Sequence, residues 1–202
     1  MKLLLFSDLH GNRSAAQNLV ALSQTVDIVI GAGDFGNLRH GIDTAVALLN
    51  SIDKPAMLVP GNSESTEELE AACRALWPAA HVLHGSGITV DGVNFFGIGG
   101  GIPVTPFGAW SYDFTEAEAR HLLADCPAGG VFISHSPPKG AVDVSSRGVS
   151  LGSIAVREII EQQQPALVVC GHIHESAGQQ ARLGNSVVVN AGPQGIVWDL
   201  AL

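Results

Sequence analysis

Short apolar runs alternate along the chain with stretches in which apolar residues recur at helical spacing. The continuous runs end in glycine or polar residues, a pattern typical of buried parallel strands. Strands of this kind are predicted at 2–7, 26–30, 55–59, 131–134 and 166–170. Helices are predicted at 14–23, 44–52, 65–76, 116–124 and 153–163. The alternation of strand and helix indicates βαβ units.

Shorter strands are predicted in the middle and at the end of the chain, at 82–83, 87–90, 93–98, 179–183, 186–190 and 195–200. Asp91-Gly92 separates two of them and predicts a tight hairpin, whereas the last three are predicted to form a meander. The pattern as a whole predicts an α/β protein with two packed mixed sheets and helices outside. We expect this four-layer α-β-β-α sandwich to be a single domain spanning 1–202.

Composition excludes a disordered chain, because hydrophobic residues make up 46% of the 202 residues and the mean hydropathy is +0.27. The N-terminal apolar run stops at Ser7-Asp8, too early for a signal peptide. No stretch reaches the roughly 18 apolar residues of a membrane span. Cys73, Cys126 and Cys170 are predicted to be buried free thiols, which suit a reducing compartment. We therefore expect a cytoplasmic protein without a membrane partner.

Five of the predicted strands run into turns that are rich in metal-binding side chains. These turns are Asp8-Leu9-His10, Gly33-Asp34, Gly61-Asn62-Ser63-Glu64, Ser134-His135 and Gly171-His172-Ile173-His174. Because ligands gather beyond the carboxyl ends of strands in α/β sheets, we expect all five at one sheet edge. The glycines before Asp34, Asn62 and His172 suit a backbone that turns sharply off a strand. The other histidines lie in no such turn and are expected to be ordinary residues, with His40 and His84 as minor candidates for the cleft.

These motifs, Asp-x-His, Gly-Asp, Gly-Asn-x-Glu, a strand-end His and Gly-His-x-His, resemble those of the calcineurin-like metallophosphoesterase superfamily. The resemblance extends from Asp8 to the segment Asn190-Ala191-Gly192-Pro193. Three further segments resemble small bacterial and archaeal phosphoesterases of the Icc-related group, namely Thr105–Gly108, Ser134–Pro138 and Cys170–Ser176. The superfamily's fold, a pair of mixed sheets flanked by helices, agrees with the predicted pattern.

The resemblance implies a dinuclear metal centre. Asp8, His10 and His174 would bind one metal; Asn62, His135 and His172 would bind the other; and Asp34 would bridge both. Carboxylate, imidazole and amide ligands without thiolate suit Mn²⁺ first, with Fe, Zn²⁺ or Ni²⁺ as other candidates. Two such cations lower the pKa of a bridging water, and the resulting hydroxide would attack phosphorus in line. Asp34, Asn62, Ser63 and His135 are the expected catalytic residues.

One position departs from the superfamily pattern. Many members carry His after the Gly-Asn, where this chain has Ser63. A serine hydroxyl donates a hydrogen bond but is a poor general acid, which costs roughly 10²–10⁴ in rate for a poor leaving group. We therefore expect a preference for aryl or otherwise activated phosphoesters.

Charge narrows the choice of substrate. The formal net charge is −9 and the chain has only 10 lysines and arginines, so we expect no face for duplex nucleic acid. The leading hypothesis is a hydrolase of small phosphodiesters or phosphomonoesters. The alternatives are a nuclease, which the acidic balance disfavours, and a metal-binding scaffold with little or no turnover.

More than one role is open for several residues and loops around the motifs. Glu64, Asn12 and Glu175 would either orient ligands or cap turns. The loop 99–113 carries Phe107, Trp110 and Tyr112 and has the glycine-rich composition of a mobile loop. A packed Ω-loop or a contact in a homo-oligomer is favoured for it, and the alternative is a lid or a stacking wall for a nucleoside or aryl group. The loop 136–152 is expected to lack regular structure and to serve function. Arg13, Arg39, Lys139 and Arg147 are expected to be solvated surface charges.

Overall fold

Two β-sheets lie face to face in the computed structural model, which describes residues 1–201. The strands are β1 Lys2–Phe6, β2 Ile28–Ala32, β3 Ala56–Val59, β4 Ala80–Val82, β5 Ser86–Val90, β6 Val93–Ile98, β7 Val131–Ser134, β8 Leu167–Cys170, β9 Gln180–Leu183, β10 Ser186–Asn190 and β11 Ile196–Asp199. The helices are α1 Arg13–Ser23, α2 Ile42–Leu49, α3 Thr66–Leu76, α4 Glu116–Leu122 and α5 Ile154–Gln163. All of these elements overlap the predicted ones, and most boundaries differ by one or two residues.

Both sheets are mixed, as predicted. The first sheet has the order β11-β1-β2-β3-β4, in which β1 to β4 are parallel and β11 is antiparallel. The second has the order β5-β6-β7-β8-β10-β9, in which β6, β7, β8 and β10 are parallel and the two edge strands are antiparallel.

Alternation of side chains along β1 explains the layers. Leu3 and Leu5 point between the sheets and pack with residues such as Ile133 of β7, whereas Leu4 and Phe6 point outward and pack against α1, α2 and α3. The outer face of the second sheet packs in the same way against α4 and α5. The result is four layers, with α1–α3, the first sheet, the second sheet and α4–α5 in that order. The predicted α-β-β-α sandwich is therefore confirmed.

The turn between β5 and β6 matches its prediction. Val90 pairs with Val93, and Asp91 and Gly92 have φ of 50° and 80°. Two successive left-handed residues form the hairpin turn whose twist matches that of the flanking strands. The Asp-Gly signal is thus confirmed.

The predicted C-terminal meander is wrong. β9 and β10 form an antiparallel pair, but β10 also lies parallel to β8, and β11 crosses to the first sheet to pair with β1. Ile196 and Trp198 of β11 pack against the apolar layer between the sheets. Without this crossing, β1 would present an unpaired edge, which proteins generally cover.

Free thiols are present as predicted, because Cys73, Cys126 and Cys170 are buried and unpaired. Burial raises the pKa of Cys126 to about 12. Within residues 1–201, no helix combines the length and the apolar character needed to cross a membrane.

Candidate metal centre

The five predicted turns converge at one end of the sandwich, but they come from both sheets. β1, β2 and β3 of the first sheet lead into the turns that carry Asp8 and His10, Asp34, and Asn62. β7 and β8 of the second sheet lead into the remaining turns, with His135 on one and His172 and His174 on the other. The expectation of a single sheet edge is therefore wrong. Because the parallel strands of the stacked sheets present their carboxyl ends at the same end of the molecule, the turns still meet.

Four of the seven candidate ligands have a left-handed backbone. Asp8, His10, Asp34 and His172 have φ of 54°, 45°, 57° and 66°. This conformation is uncommon for residues other than glycine and costs of order 1–3 kcal/mol each where the rest of the structure enforces it. Such strain clusters at functional sites, and here it falls on the side chains that the sequence motifs single out.

The glycines in the motifs make room for the ligands. A Cβ at Gly61 would clash with the Asp34 carboxylate, and one at Gly171 would lie 2.5 Å from Asp8 Oδ2. Among the glycines that precede a candidate ligand, Gly33 has a positive φ, 90°, and its missing Cβ also leaves space for the His135 ring. The predicted reason, a sharp turn, therefore holds at Gly33, whereas Gly61 and Gly171 are needed for close packing.

Asp34 lies between histidines from the two sheets. Its Oδ2 is 3.5 Å from His10 Nε2, and its Oδ1 is 3.5 Å from His135 Nε2. The backbone N–H of Ser63 donates to Oδ1 at 2.8 Å. The side chain is buried, so the carboxylate is held with one oxygen toward each imidazole. This is the placement that a bridging ligand requires.

Asp8, His10 and His174 form one group. Each offers a ligand atom, and these atoms all lie within 4.8 Å of one another. His10 Nδ1 donates to Gly36 O at 3.0 Å, so that in the neutral ring Nε2 is an acceptor. That Nε2 is 3.3 Å from His174 Nε2. Two ring nitrogens and a carboxylate that face each other in this way can hold a cation.

The second group differs in part from the predicted ligand set. Asp8, Asp34 and His135 also offer ligand atoms within 4.8 Å of one another, so Asp8 lies near both positions. His135 is fully buried; its Nδ1 lies 2.8 Å from Ala32 O and its Nε2 lies 3.2 Å from Asn62 Oδ1. When Nδ1 donates to the carbonyl, Nε2 is an acceptor that faces another acceptor, which favours a cation between them.

The orientation of Asn62 depends on residues in the loop 99–113 that the sequence analysis did not single out. Ser111 donates its hydroxyl to Asp113 Oδ1 at 2.8 Å and accepts from Asn62 Nδ2 at 3.1 Å. The Asn62 oxygen is thereby directed at His135. A serine and an aspartate two residues apart in a glycine-rich loop carry no recognisable signal by themselves.

His172 lies beside the second group without belonging to either set of three. Its ring centroid is 4.9 Å from that of His135, and its backbone N–H donates to Asp8 Oδ1 at 3.0 Å. Desolvation in the cleft, together with the neighbouring His135, lowers the pKa of His172 to about 4. The ring is therefore neutral at physiological pH, the state in which an imidazole binds metal.

Asp8 and His174 influence each other's charge. Burial opposes ionisation of Asp8, but the hydrogen bond with His174 and the nearby His135 outweigh it and lower the pKa of Asp8 to about 2. The same hydrogen bond to Asp8 raises the pKa of His174. A bound cation would take the place of a proton on His174 Nε2, which lies 3.5 Å from Asp8 Oδ1.

Glu64 fixes the backbone of the Asp34 turn. Its buried carboxylate accepts from the N–H groups of Asp34 at 2.9 Å, Gly36 at 3.1 Å and Gly61 at 2.7 Å. Of the three residues expected either to orient ligands or to cap turns, Glu64 is the one whose side chain accepts hydrogen bonds from the backbone of a ligand turn. Asn12 caps α1 by accepting from Ala15 N, and Glu175 is exposed.

A cleft of about 670 Å³ opens over the cluster. Its walls include Ser63 and segments of the loops 99–113 and 136–152. Phe107 and Trp110 line it, and their rings stack on each other with centroids 5.6 Å apart. Neither loop is loose, because both are held by hydrogen bonds to buried or partly buried aspartates.

Most other residues that the sequence singled out lie outside the cleft. Tyr112 does not line the cleft; its ring packs against Phe114 and its hydroxyl bonds to Thr66. His40 and His84 also lie outside the cleft lining.

Of the four basic residues considered from the sequence, Arg147 lines the cleft and Arg13 is exposed. Arg39 forms an ion pair with Glu68 at 2.8 Å, and Lys139 donates to Ser150 O.

Known proteins resemble the chain in sequence and in fold. Metallophosphoesterase domain-containing protein 1 of Homo sapiens is 31% identical over 142 residues, which are 66% of this chain and 39% of that protein. The UPF0046 protein K07C11.7 of Caenorhabditis elegans is 32% identical over 114 residues, 54% of this chain and 36% of that protein. The chain therefore spans less than two fifths of the length of these relatives.

A solved structure, TT1561 of Thermus thermophilus, shares the fold with a TM-score of 0.75 and 20% identity, covering 96% of this chain and 90% of that one. The family described as calcineurin-like phosphoesterase matches residues 1–176, which include every candidate ligand. Because this match extends over far more than half of the sequence, the chain belongs to the calcineurin-like phosphoesterase family.

Proposed function

We propose that the protein is a dinuclear metal-dependent hydrolase of a small phosphodiester or phosphomonoester. One observation carries the proposal: the two oxygens of Asp34 face imidazoles from different sheets, each at 3.5 Å. A buried carboxylate in this position, among acceptor atoms that face one another, is suited to two cations rather than one. Membership of the phosphoesterase family supports the same reaction.

The donor atoms fit divalent metals. Asp8, His10 and His174 would hold one cation; Asn62, His135 and His172 would hold the other, with Asp34 shared and Asp8 close to both. The ligands are oxygen and imidazole nitrogen without thiolate, which favours Mn²⁺, with Fe, Zn²⁺ and Ni²⁺ as alternatives. When bound, the pair would supply an activated water and neutralise charge on the phosphoryl oxygens.

The remaining residues of the chain would position the reactants. Glu64 and the Ser63 N–H hold Asp34 in one orientation, and Ser111 holds the amide of Asn62. The Ser63 hydroxyl would donate a hydrogen bond to the leaving-group oxygen without transferring a proton fully, since its pKa is far above neutral. Activated leaving groups would therefore react fastest.

The test is hydrolysis of bis-p-nitrophenyl phosphate and p-nitrophenyl phosphate by chelator-treated protein with and without Mn²⁺. We expect release of p-nitrophenolate that requires Mn²⁺ and is lost in Asp34→Asn. The control is Asp53→Asn, which removes an exposed carboxylate remote from the turns. The ratio of the two rates ranks diester against monoester.

Two results would contradict the proposal. Release that is equal with and without metal would exclude the metal mechanism. Metal bound at two sites with no release from either ester would favour the scaffold alternative, in which the metal ligands are kept without turnover.

The extent of the domain, 1–202, and a cytoplasmic location stay predictions.

A further inference from the structure

Large apolar side chains are exposed mainly around the candidate metal centre. Among residues 1–201, eight large hydrophobic residues are exposed, and five of them line the one cleft that contains the metal ligands. We call these five the apolar rim: Leu38, Val104, Phe107, Val149 and Leu151. Between 47% and 56% of each is accessible. An exposed apolar cluster of this kind generally marks a binding surface.

Leu38 of the apolar rim is held by hydrogen bonds of its turn in an unfavourable backbone conformation. Leu38 has φ of 49°, a left-handed conformation that is unfavourable for leucine, and 52% of the residue is exposed. The turn is closed by paired hydrogen bonds between Asn37 and His40 at 2.9 Å, and Arg39 N donates to Ser63 O. Strain and apolar exposure at the same residue indicate a functional position.

The loop segments that carry the other rim residues are also held. Asp113 Oδ2 accepts from the N–H of Thr105 at 2.9 Å and from its hydroxyl at 2.6 Å, which fixes the chain next to Val104. Buried Asp143 accepts from the N–H groups of Gly140 and Gly152 at 3.0 Å and 2.9 Å, which closes the loop around Val149. A preorganised apolar wall loses little entropy when a ligand covers it.

The chemistry of the wall limits what can cover it. Four of the five rim residues are branched aliphatics with no hydrogen-bonding side-chain atom, and Phe107 adds an aromatic face. Beyond the metal ligands, the charged side chains that line the cleft are Arg147 and Glu175. The five rim side chains cannot replace the hydrogen bonds to water that a sugar or another group rich in hydroxyls would lose on them, although Asn37, Thr105, Ser145 and Ser146 also line the cleft. An apolar organic group beside the phosphate would instead bury the wall.

We propose that the substrate is a phosphoester that carries an apolar alkyl or aryl group, which lies on the apolar rim while the phosphate lies at the metal centre. This inference rests on the proposed function for its reaction, in which water adds across a P–O bond and releases the alcohol or phenol. The rim supplies the specificity.

The test uses p-nitrophenyl phosphodiesters whose second ester group is methyl, butyl, octyl or phenyl, with the Mn²⁺-loaded protein. Hydrolysis of each releases p-nitrophenolate and the corresponding alkyl or phenyl phosphate, so the leaving group is constant. We expect kcat/KM to rise by about twofold to fourfold for each methylene that the rim covers. The butyl and phenyl esters distinguish an alkyl from an aryl preference.

Matched variants separate the rim from general hydrophobicity. Val149→Ser should reduce the butyl-to-methyl ratio of kcat/KM by at least about fivefold, because it places a hydroxyl in the wall. Val197→Ser is the control, since Val197 lies on β11 outside the cleft and is 43% exposed, against 50% for Val149. Isothermal calorimetry with methyl, butyl and octyl phosphonates measures the same preference without turnover.

The outcomes distinguish this inference from the proposed function. Hydrolysis with no dependence on chain length, or a Val149→Ser variant with an unchanged butyl-to-methyl ratio of kcat/KM, would show that the apolar rim does not bind the substrate. Either result would leave the proposed hydrolase function unaffected. Absence of hydrolysis with phosphonate affinity that rises with chain length would support the rim and overturn the hydrolase. If Val149→Ser instead converts a dimer to a monomer by sedimentation while the ratio is unchanged, the rim is a contact between copies and the inference is wrong.

Discussion

Ser63 lines the cleft at the point where its backbone N–H holds Asp34. Its hydroxyl cannot act as an efficient acid at neutral pH, whereas an imidazole with a pKa near 6.5 can. We therefore expect Ser63→His to raise kcat for alkyl phosphodiesters by up to about 10²-fold and to change p-nitrophenyl esters little. The measurement is the ratio of the rates for the two leaving groups.

Ser63→Gln is the matched control for this prediction, because glutamine is close to histidine in size and donates a hydrogen bond but not a proton. If Gln and His variants change the alkyl ester rate equally, the effect comes from shape and the acid role of this position is wrong. If neither changes it, leaving-group protonation does not limit the reaction.

At the scale of single residues, sequence motifs placed all seven candidate ligands in turns that the fold brings together. The same motifs could not show that Asp8 lies near both groups, because that depends on distances between turns of different sheets. Nor could they show that Ser111 and Asp113 orient Asn62, since that contact joins a turn to a loop 49 residues away. The need for glycine at positions 61 and 171 likewise becomes apparent only from the structure, where a Cβ would clash with the neighbouring carboxylates.

Asn12 belongs to an element rather than to the metal centre. It caps α1 by accepting from Ala15 N at 3.1 Å, in the first turn after the His10 motif. We expect Asn12→Ala to lower the free energy of unfolding by about 1 kcal/mol, the usual cost of a lost cap. Urea denaturation measures this loss, and calorimetry with Mn²⁺ should show an unchanged affinity.

Asn12→Asp controls for the cap, since aspartate accepts the same hydrogen bond and should keep most of the stability. A loss of metal affinity in Asn12→Ala at full stability would contradict the capping role and return Asn12 to the residues that orient ligands.

The loop 136–152 depends on Asp143, a fully buried carboxylate that accepts from Gly140, Gly152 and Ser150. Hydrogen bonds to a charged group contribute roughly 1.5–3 kcal/mol each, so their loss should open the loop. We expect Asp143→Ala to increase tryptic cleavage after the exposed Arg147 by at least about tenfold. The rate of appearance of the cleaved fragments in native protein measures this opening.

Trypsin should cleave Asp143→Asn at an intermediate rate, because the amide oxygen still accepts some of the hydrogen bonds that the carboxylate accepts. Equal cleavage of the wild type and Asp143→Ala would show that the loop is open in both, and that hydrogen bonds to Asp143 do not hold it.

At the scale of elements, apolar periodicity predicted helix and strand positions because each element buries one face or both. It could not predict which sheet receives β11, since Ile196 and Trp198 would suit either edge. It also assigned mobility to the loop 99–113, which Asp113 holds, because loop anchoring depends on a few specific contacts and not on composition. Of the apolar rim, the sequence singled out only Phe107, because the five rim residues come from separate loops.

At the scale of the whole molecule, the candidate centre joins the two sheets. Its ligands follow β1, β2 and β3 on one side and β7 and β8 on the other, so cations bound there would link the sheets beyond the apolar layer between them. Without cations, two buried carboxylates lie close together in a protein whose net charge is already −9.

Metal binding should therefore raise the melting temperature. A cation at about 100 times its Kd stabilises the folded state by about 2.7 kcal/mol per site, which is a rise of roughly 5–10 °C for a chain of this size. Calorimetric melting of chelator-treated protein with increasing Mn²⁺ measures the shift. Asp34→Asn should lose most of it, whereas Asp53→Asn should keep it, because Asp53 is exposed and remote from the ligand turns. A rise that is equal in Asp34→Asn and the wild type would show that Mn²⁺ binds elsewhere, and the assignment of Asp34 as the shared ligand would then be wrong.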